Sequence, residues 1–209
     1  SPHPTPRPPR THTSGLPSGI FAPGPGGKAL RTATIDFSEK HGRLDETVAK
    51  LADIPLVFEP GTRWNYGVST DVLGRVVETA SGMSLPEFLH DRIFEPLGME
   101  DTFFAVPSDK LDRFSACYAK TEDDGIRRID EIEDSRYANS VTMFSGGVGP
   151  GSTTMDHLRV MAKVRPHGRK GRAPTLGRNS CAASHIKHFP GNTVHMGRPA
   201  NSVHTDART

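Results

Sequence analysis

Between Asp36 and Met99, proline and glycine cut the chain into three short helical segments, and this punctuation limits the fold more than any other feature. Leu44, Val48, Leu51 and Ala52 recur at helical spacing. Asp45 and Glu46 stand in the first turn, where carboxylates suit the positive end of the helix dipole. Ile54-Pro55 stops this helix, because a residue before proline is driven out of the α region. The spacing predicts a second helix over about 70–81, capped by Ser69 or Thr70 and closed by Gly82. Its apolar positions are Val72, Leu73, Val76, Val77 and Ala80. Ser84-Leu85-Pro86-Glu87 is a capping box with proline early in a third helix. Phe88, Leu89, Ile93 and Phe94 form its apolar face, and Pro96 is expected to end it.

The stretch Glu59–Ser69 separates the first two helices and holds the only tryptophan, Trp64. Pro60-Gly61 is a turn signal, since proline presets φ and glycine supplies positive φ. Trp64 and Tyr66 follow at strand spacing, so both can point to one face. A tyrosine at a turn just before a helix is a candidate for proton transfer. Spacing alone also allows a core aromatic with its hydroxyl satisfied.

The net charge of +2 hides a split. Residues 165–209 carry eight Lys/Arg and one acid, so this tail stands at 8 − 1 = +7. The remaining 26 − 8 = 18 bases and 24 − 1 = 23 acids put residues 1–164 at −5. The chain therefore reads as three parts: a proline-rich disordered end (1–10), a domain (11–164) and a basic low-complexity tail (165–209), disordered or read out of frame. The tail has charge but no interleaved aromatics, so no nucleic-acid partner is expected. Residues 17–35 are rich in glycine and proline and read as a surface loop. Phe103–Val106 and Ser115–Ala119 are strand-like, with a turn at Thr121–Gly125. Cys117 is expected to be a buried thiol, and Cys117 and Cys181 fit no disulfide framework. The acids Asp130, Glu131, Glu133 and Asp134 read as a solvated loop, so no metal site and no cofactor are expected. No apolar run is long enough for a membrane span and no signal peptide is read at this N-terminus, so a cytoplasmic location is expected.

Three runs in combination resemble the serine beta-lactamase-like family: Pro60-Gly61-Thr62-Arg63-Trp64-Asn65-Tyr66, Thr70-Asp71-Val72-Leu73-Gly74, and Pro96-Leu97-Gly98-Met99-Glu100-Asp101-Thr102. That family includes class C beta-lactamases, DD-peptidases and related carboxylesterases, and the run from Tyr66 to Gly74 is most similar to the esterase branch. Thr11-His12-Thr13-Ser14-Gly15-Leu16 resembles a family segment just downstream of the catalytic Ser-x-x-Lys, with Pro9-Arg10 in place of two leucines. Phe144–Asp156 resembles a glycine-rich segment that forms a tight backbone beside the cleft and then a helix.

The resemblance implies an α+β fold, the beta-lactamase/transpeptidase-like fold, represented here mainly by its helical region. It implies a serine hydrolase that cleaves small carboxylic esters through an acyl-enzyme, with Tyr66 as a catalytic residue. Val68 stands where lactamases and peptidases usually carry asparagine. The nucleophile is expected outside this chain. Ser184-His185-Ile186-Lys187 and His195-Met196-Gly197 match family motifs formally, but out of order, and Tyr137-Ala138-Asn139 matches Tyr-x-Asn by coincidence. His12 and Ser14 read as structural, and substrate-binding residues and oligomeric state stay open. The alternatives are a non-catalytic remnant or binding protein of the same fold, or a lactamase or DD-peptidase relative.

Overall fold

The computed structural model describes residues 11–18, 25–33, 35–37, 41–133, 135–138, 141–164 and 194–195. The elements are α1 (Pro25–Thr32), α2 (Leu44–Leu51), β1 (Arg63–Trp64), α3 (Ser69–Ser81), α4 (Leu85–Leu89), α5 (Glu95–Leu97), β2 (Cys117–Lys120), β3 (Ile126–Asp130), α6 (Thr154–Val164) and β4 (Val194–His195). A π-helical turn, His90–Phe94, joins α4 to α5, and a 3-10 turn spans Ser108–Arg113. β1 pairs with β4 in parallel, with Arg63 opposite Val194 and Trp64 opposite His195. β2 and β3 form an antiparallel hairpin whose register shifts between Cys117 and Tyr118. Phe103 and Gly151 make an isolated antiparallel bridge, each amide donating to the other's carbonyl at 2.9 Å.

The three expected helices form at the expected places. α3 ends at Gly82, which takes the left-handed φ of 71° that an L side chain resists. α4 opens on Ser84 with the full capping box, Ser84 Oγ accepting from the Glu87 amide and Glu87 accepting from the Ser84 amide. α3 packs on both α2 and α4. The core joins Leu30, Ile35, Phe37, Leu44, Leu51, Leu85, Phe104 and Met143, with Val48, Val72 and Val77 packed against it. The most buried side of α3, however, carries Ser69, Asp71 and Gly74 rather than its valines, and Val76 is exposed. A Cβ on Gly74 would lie 3.0 Å from Leu85 Cδ2 and 3.3 Å from Leu44 Cδ2, so the missing side chain is what lets the helices approach.

Several expectations are corrected. Residues 17–35 are not all loop: Pro25 starts α1, where its preset φ is helical and its missing N–H has no partner to lose. The helix buries Leu30 in the core, a residue whose isolation among small and polar neighbours hid it. Val68, not Ser69, stands at the N-cap of α3, because the Ser69 hydroxyl is used in a tertiary contact instead. Pro96 lies inside α5, two residues before the stop at Gly98 (φ 64°). The turn before it is π-helical, the Glu95 amide reaching back to the His90 carbonyl, so the proline enters as a new helix start. Cys117 is exposed, because the hairpin it opens stands clear of the core. The 1–10 end and most of the tail lie outside the described residues, whereas Val194–His195 within the tail form β4.

α6 is anchored by its polar side. Asp156 is buried and accepts from the Asp101 amide and the Thr102 hydroxyl, both at 2.8 Å, and it pairs with Arg159. Its apolar residues Met155 and Leu158 are 61% and 53% exposed.

Gly146 meets α3 closely, with the position of an added Cβ only 2.3 Å from the Thr70 carbonyl oxygen. Gly146→Ala is therefore expected to cost about 1–3 kcal/mol through backbone displacement. At Gly82 an added Cβ meets nothing within 4 Å, so Gly82→Ala carries only backbone strain of about 1 kcal/mol. Thermal unfolding of the two variants checks the order.

Asp101 receives both nitrogens of Arg113 (3.1 and 3.0 Å) and Lys110 Nζ (2.8 Å), which hold its carboxyl down at about 2 from an ordinary 3.8. Its folded-state pKa lies below the unfolded value, so its contribution is complete above pH 3.8 and fades as pH falls toward 2. Asp101→Asn is expected to flatten the thermal-stability profile in that window.

Candidate active site

Residues 11–18 lie against residues 56–69, and the crossing is made almost wholly of backbone. The Asn65 amide donates to the His12 carbonyl at 2.9 Å, the Gly61 amide to Thr13 at 2.7 Å, Val57 to Gly15 at 2.9 Å and Val68 to Pro17 at 3.3 Å. The Asn65 side-chain amide adds a bond to the Leu16 carbonyl at 3.0 Å. Two glycines permit the approach. A Cβ on Gly15 would sit 2.3 Å from the Phe58 carbonyl oxygen, and one on Gly67 would sit 2.4 Å from the Pro17 carbonyl oxygen. Ser14 and Ser69, both buried, share a hydroxyl–hydroxyl bond of 2.9 Å, and Ser14 Oγ also accepts from the Leu16 amide at 3.2 Å.

This frame presents Tyr66 at the surface, 47% exposed, three residues before α3 begins. Its ring is not buried in the core. It lies on the His12 imidazole, with centroids 4.8 Å apart and planes 30° apart. Trp64 meets the same imidazole edge-on at 6.1 Å, so Trp64 and Tyr66 do share a face. His12 and Ser14 are not a nucleophile–base pair here: the Ser14 hydroxyl goes to Ser69, and His12 Nδ1 is buried without a partner among the described residues. Burial lowers the His12 pKa from 6.5, which favours the neutral ring.

Beside α3, Asp71 fastens the glycine-rich segment. Its carboxylate accepts from the Ser145 hydroxyl and from the Gly147 amide at 3.0 Å. Ser145 Oγ in turn accepts from the amides of Gly147 (3.1 Å) and Val148 (2.8 Å). Burial pushes the Asp71 carboxyl up, against those hydrogen bonds. A cavity of about 390 Å³ lies between the 3-10 turn and the start of α6, lined by Phe103, Lys110, Arg113, Phe114 and Ser152 among others. Among the described residues, His90, Asp91 and Glu95 form a grouping that could hold a metal, with ligand atoms within 4.8 Å. All three are exposed on the π turn.

A sequence model of the family described as Beta-lactamase matches residues 10–193. The chain belongs to the beta-lactamase family. Esterase EstB of Burkholderia gladioli is 33% identical over 170 residues, covering 74% of this chain and 43% of that protein. Monacolin J acid methylbutanoyltransferase of Aspergillus terreus is 36% identical over 147 residues, covering 68% of this chain and 34% of that protein. The structure of EstCE1, described as a hydrolase with promiscuous acyltransferase activity, aligns with a TM-score of 0.71 at 23% identity over 84% of this chain and 48% of that one. The fold is therefore the beta-lactamase/transpeptidase-like one, and the relatives include esterases and acyltransferases, which support a serine hydrolase-like family. The chain spans less than half the length of the curated relatives it matches. The family match continues past Val164, where the legible motifs stop.

Of the residues singled out in the sequence, Tyr66, Trp64, His12, Ser14 and Ser69 come together. Tyr137 lies elsewhere, stacked on Phe114 at 5.8 Å, and its Asn139 is outside the described residues. Ser184 and Lys187 are also outside them, and β4 brings the backbone of His195 level with that of Trp64. Asp130, among the acids read as a solvated loop, accepts from the Ser135 hydroxyl at 3.1 Å. Asp71 and Asp156 were missed as anchors, because an aspartate in a first helical turn looks like an ordinary dipole partner. No helix among the described residues is long and apolar enough to cross a membrane.

Removing one member of the Ser14–Ser69 pair strands the other in a buried site. Ser69→Ala is expected to cost about 1–3 kcal/mol. Ser14→Ala should cost more, since the Leu16 amide loses its acceptor as well. Denaturant unfolding of both single variants and the double variant measures the coupling.

Proposed function

We propose that this chain is part of a serine hydrolase that cleaves small carboxylic esters through an acyl-enzyme, with Tyr66 managing the proton of the nucleophile. The observation that carries the reading is Tyr66 itself: a phenol left 47% exposed on a backbone held by five hydrogen bonds to residues 12–17. The esterase named among the relatives supports an ester substrate. Val68 supports it too, packing partly buried against the core where a lactamase would present an amide.

In the proposed chemistry a serine hydroxyl attacks the ester carbonyl, its proton passing to a base as the C–O bond forms. The tetrahedral oxyanion collapses, the alcohol leaves with a proton, and water repeats the sequence on the acyl-serine. A tyrosine serves as that base at neutral pH only beside an ammonium. We place the serine and lysine outside residues 11–164, which form part of the domain. The pair Ser184 and Lys187 follows the tyrosine, whereas a helical Ser-x-x-Lys must precede it in the expected order. Acyl transfer to an alcohol instead of water is the second reading, favoured by the acyltransferase named among the relatives.

Labelling of the 209-residue chain with a fluorophosphonate probe, followed by peptide mapping, is expected to mark no serine. Label on one serine, lost in Tyr66→Phe, would place the nucleophile within the chain and overturn its assignment elsewhere. Grafting residues 11–164 onto EstB in place of the matched region is expected to keep hydrolysis of p-nitrophenyl butyrate. In that chimera Tyr66→Phe should lower kcat by about a hundredfold or more. An unchanged kcat sinks the role given to Tyr66.

A further inference from the structure

We propose that His12 is a positioning residue for Tyr66: its imidazole is the wall that sets the plane of the phenol ring. The inference rests on the reading of Tyr66 given above, but its geometry stands apart from it. His12 has a φ of 54°, a left-handed conformation rare outside glycine. The chain holds it there because the His12 and Thr13 carbonyls both accept bonds from the stretch that carries Tyr66. The backbone that aims the imidazole and the backbone that carries the phenol are therefore one hydrogen-bonded unit. The imidazole closes one face of Tyr66 at 4.8 Å, and Trp64 in turn meets the imidazole edge-on at 6.1 Å. A ring with one face against the imidazole can rock but cannot swing through it.

The wall works only as a neutral ring. Nδ1 is buried and meets no acceptor among the described residues, so an added proton would leave a charge half-buried and unpaired. The titratable group in ring contact with it is Tyr66, and the exposed Arg63 and Glu59 lie on the same stretch as Tyr66. Protonation therefore opens the stack, at a pH below the usual 6.5 of histidine.

The test uses the 209-residue chain with ring-labelled tyrosine, the Tyr66 resonance being assigned with Tyr66→Phe. Lowering the pH from about 8 to about 4.5 should shift that resonance and the emission of Trp64, the single tryptophan, with one shared midpoint below 6.5. His12→Phe keeps a flat ring and should retain the high-pH Tyr66 shift while abolishing the titration. His12→Asn tolerates the left-handed backbone and should move Tyr66 to the shift of an exposed tyrosine. An unmoved Tyr66 resonance in His12→Asn overturns the proposal, as does a midpoint at 6.5 or a His12→Phe spectrum displaced as far as that of His12→Asn. In the EstB chimera, His12→Asn should lower kcat about tenfold at constant KM, and His12→Phe should restore it. If Tyr66→Phe leaves the chimera active while the resonance titrates as expected, the catalytic reading fails and the ring geometry survives.

Discussion

The backbone crossing of residues 11–18 over residues 56–69 is the constraint from which the rest follows. Four main-chain amides and one side-chain amide bridge two segments that lie almost fifty residues apart. Buried amides and carbonyls that lost these partners would each cost on the order of 1–3 kcal/mol. The crossing admits no side chain at Gly15 or Gly67, since either Cβ would fall within 2.4 Å of a carbonyl oxygen. It therefore acts as a rigid join that specifies position more than it adds apolar burial. Everything proposed for Tyr66 follows from being carried on that join.

A second join of the same kind lies on the other side of α3. Gly146 comes to within van der Waals contact of the Thr70 carbonyl, and Asp71 ties down the two amides beyond it, directly and through Ser145. α3 is thus gripped at its first turn from two directions, by Ser14 on Ser69 and by Ser145 on Asp71. This explains why its most buried residues, Ser69, Asp71 and Gly74, are small or polar. Valines at those positions would hold the crossing segments apart. Asp71 and Asp101 respond to acid in opposite senses, because burial raises one pKa while Lys110 and Arg113 lower the other. Acid therefore weakens the attachment at Asp101 while the Asp71 site gains a proton more readily than in the unfolded chain.

The helices were legible because local rules decide them. Gly82 and the Ser84–Glu87 box act within one turn, and Leu44, Val48 and Leu51 keep one period. What the sequence could not reveal depends on contacts between distant residues. Leu30 becomes core only when it joins the cluster that includes Leu44, Leu85 and Met143. Cys117 is exposed because its hairpin has no third strand or helix against it among the described residues. Tyr66 was identified by its motif, but its partner was not. His12 has no helical or strand periodicity to mark it, and its contact with Tyr66 exists only once the crossing has formed.

The imidazole resolves a difficulty raised by an exposed catalytic phenol. An exposed ring on a turn would sample several rotamers, and each would place the hydroxyl differently. Burying the ring would restrain it but would also remove the hydroxyl from the surface where substrate must arrive. Stacking one face on His12 restrains the ring while leaving it about half exposed. A phenylalanine at position 12 would supply the same flat surface, so the histidine adds something beyond shape. What it adds is a proton-sensitive surface, kept neutral by burial above its lowered pKa and lost below it. The tyrosine is thereby held in one orientation at neutral pH and released in acid by a residue that need never touch the substrate.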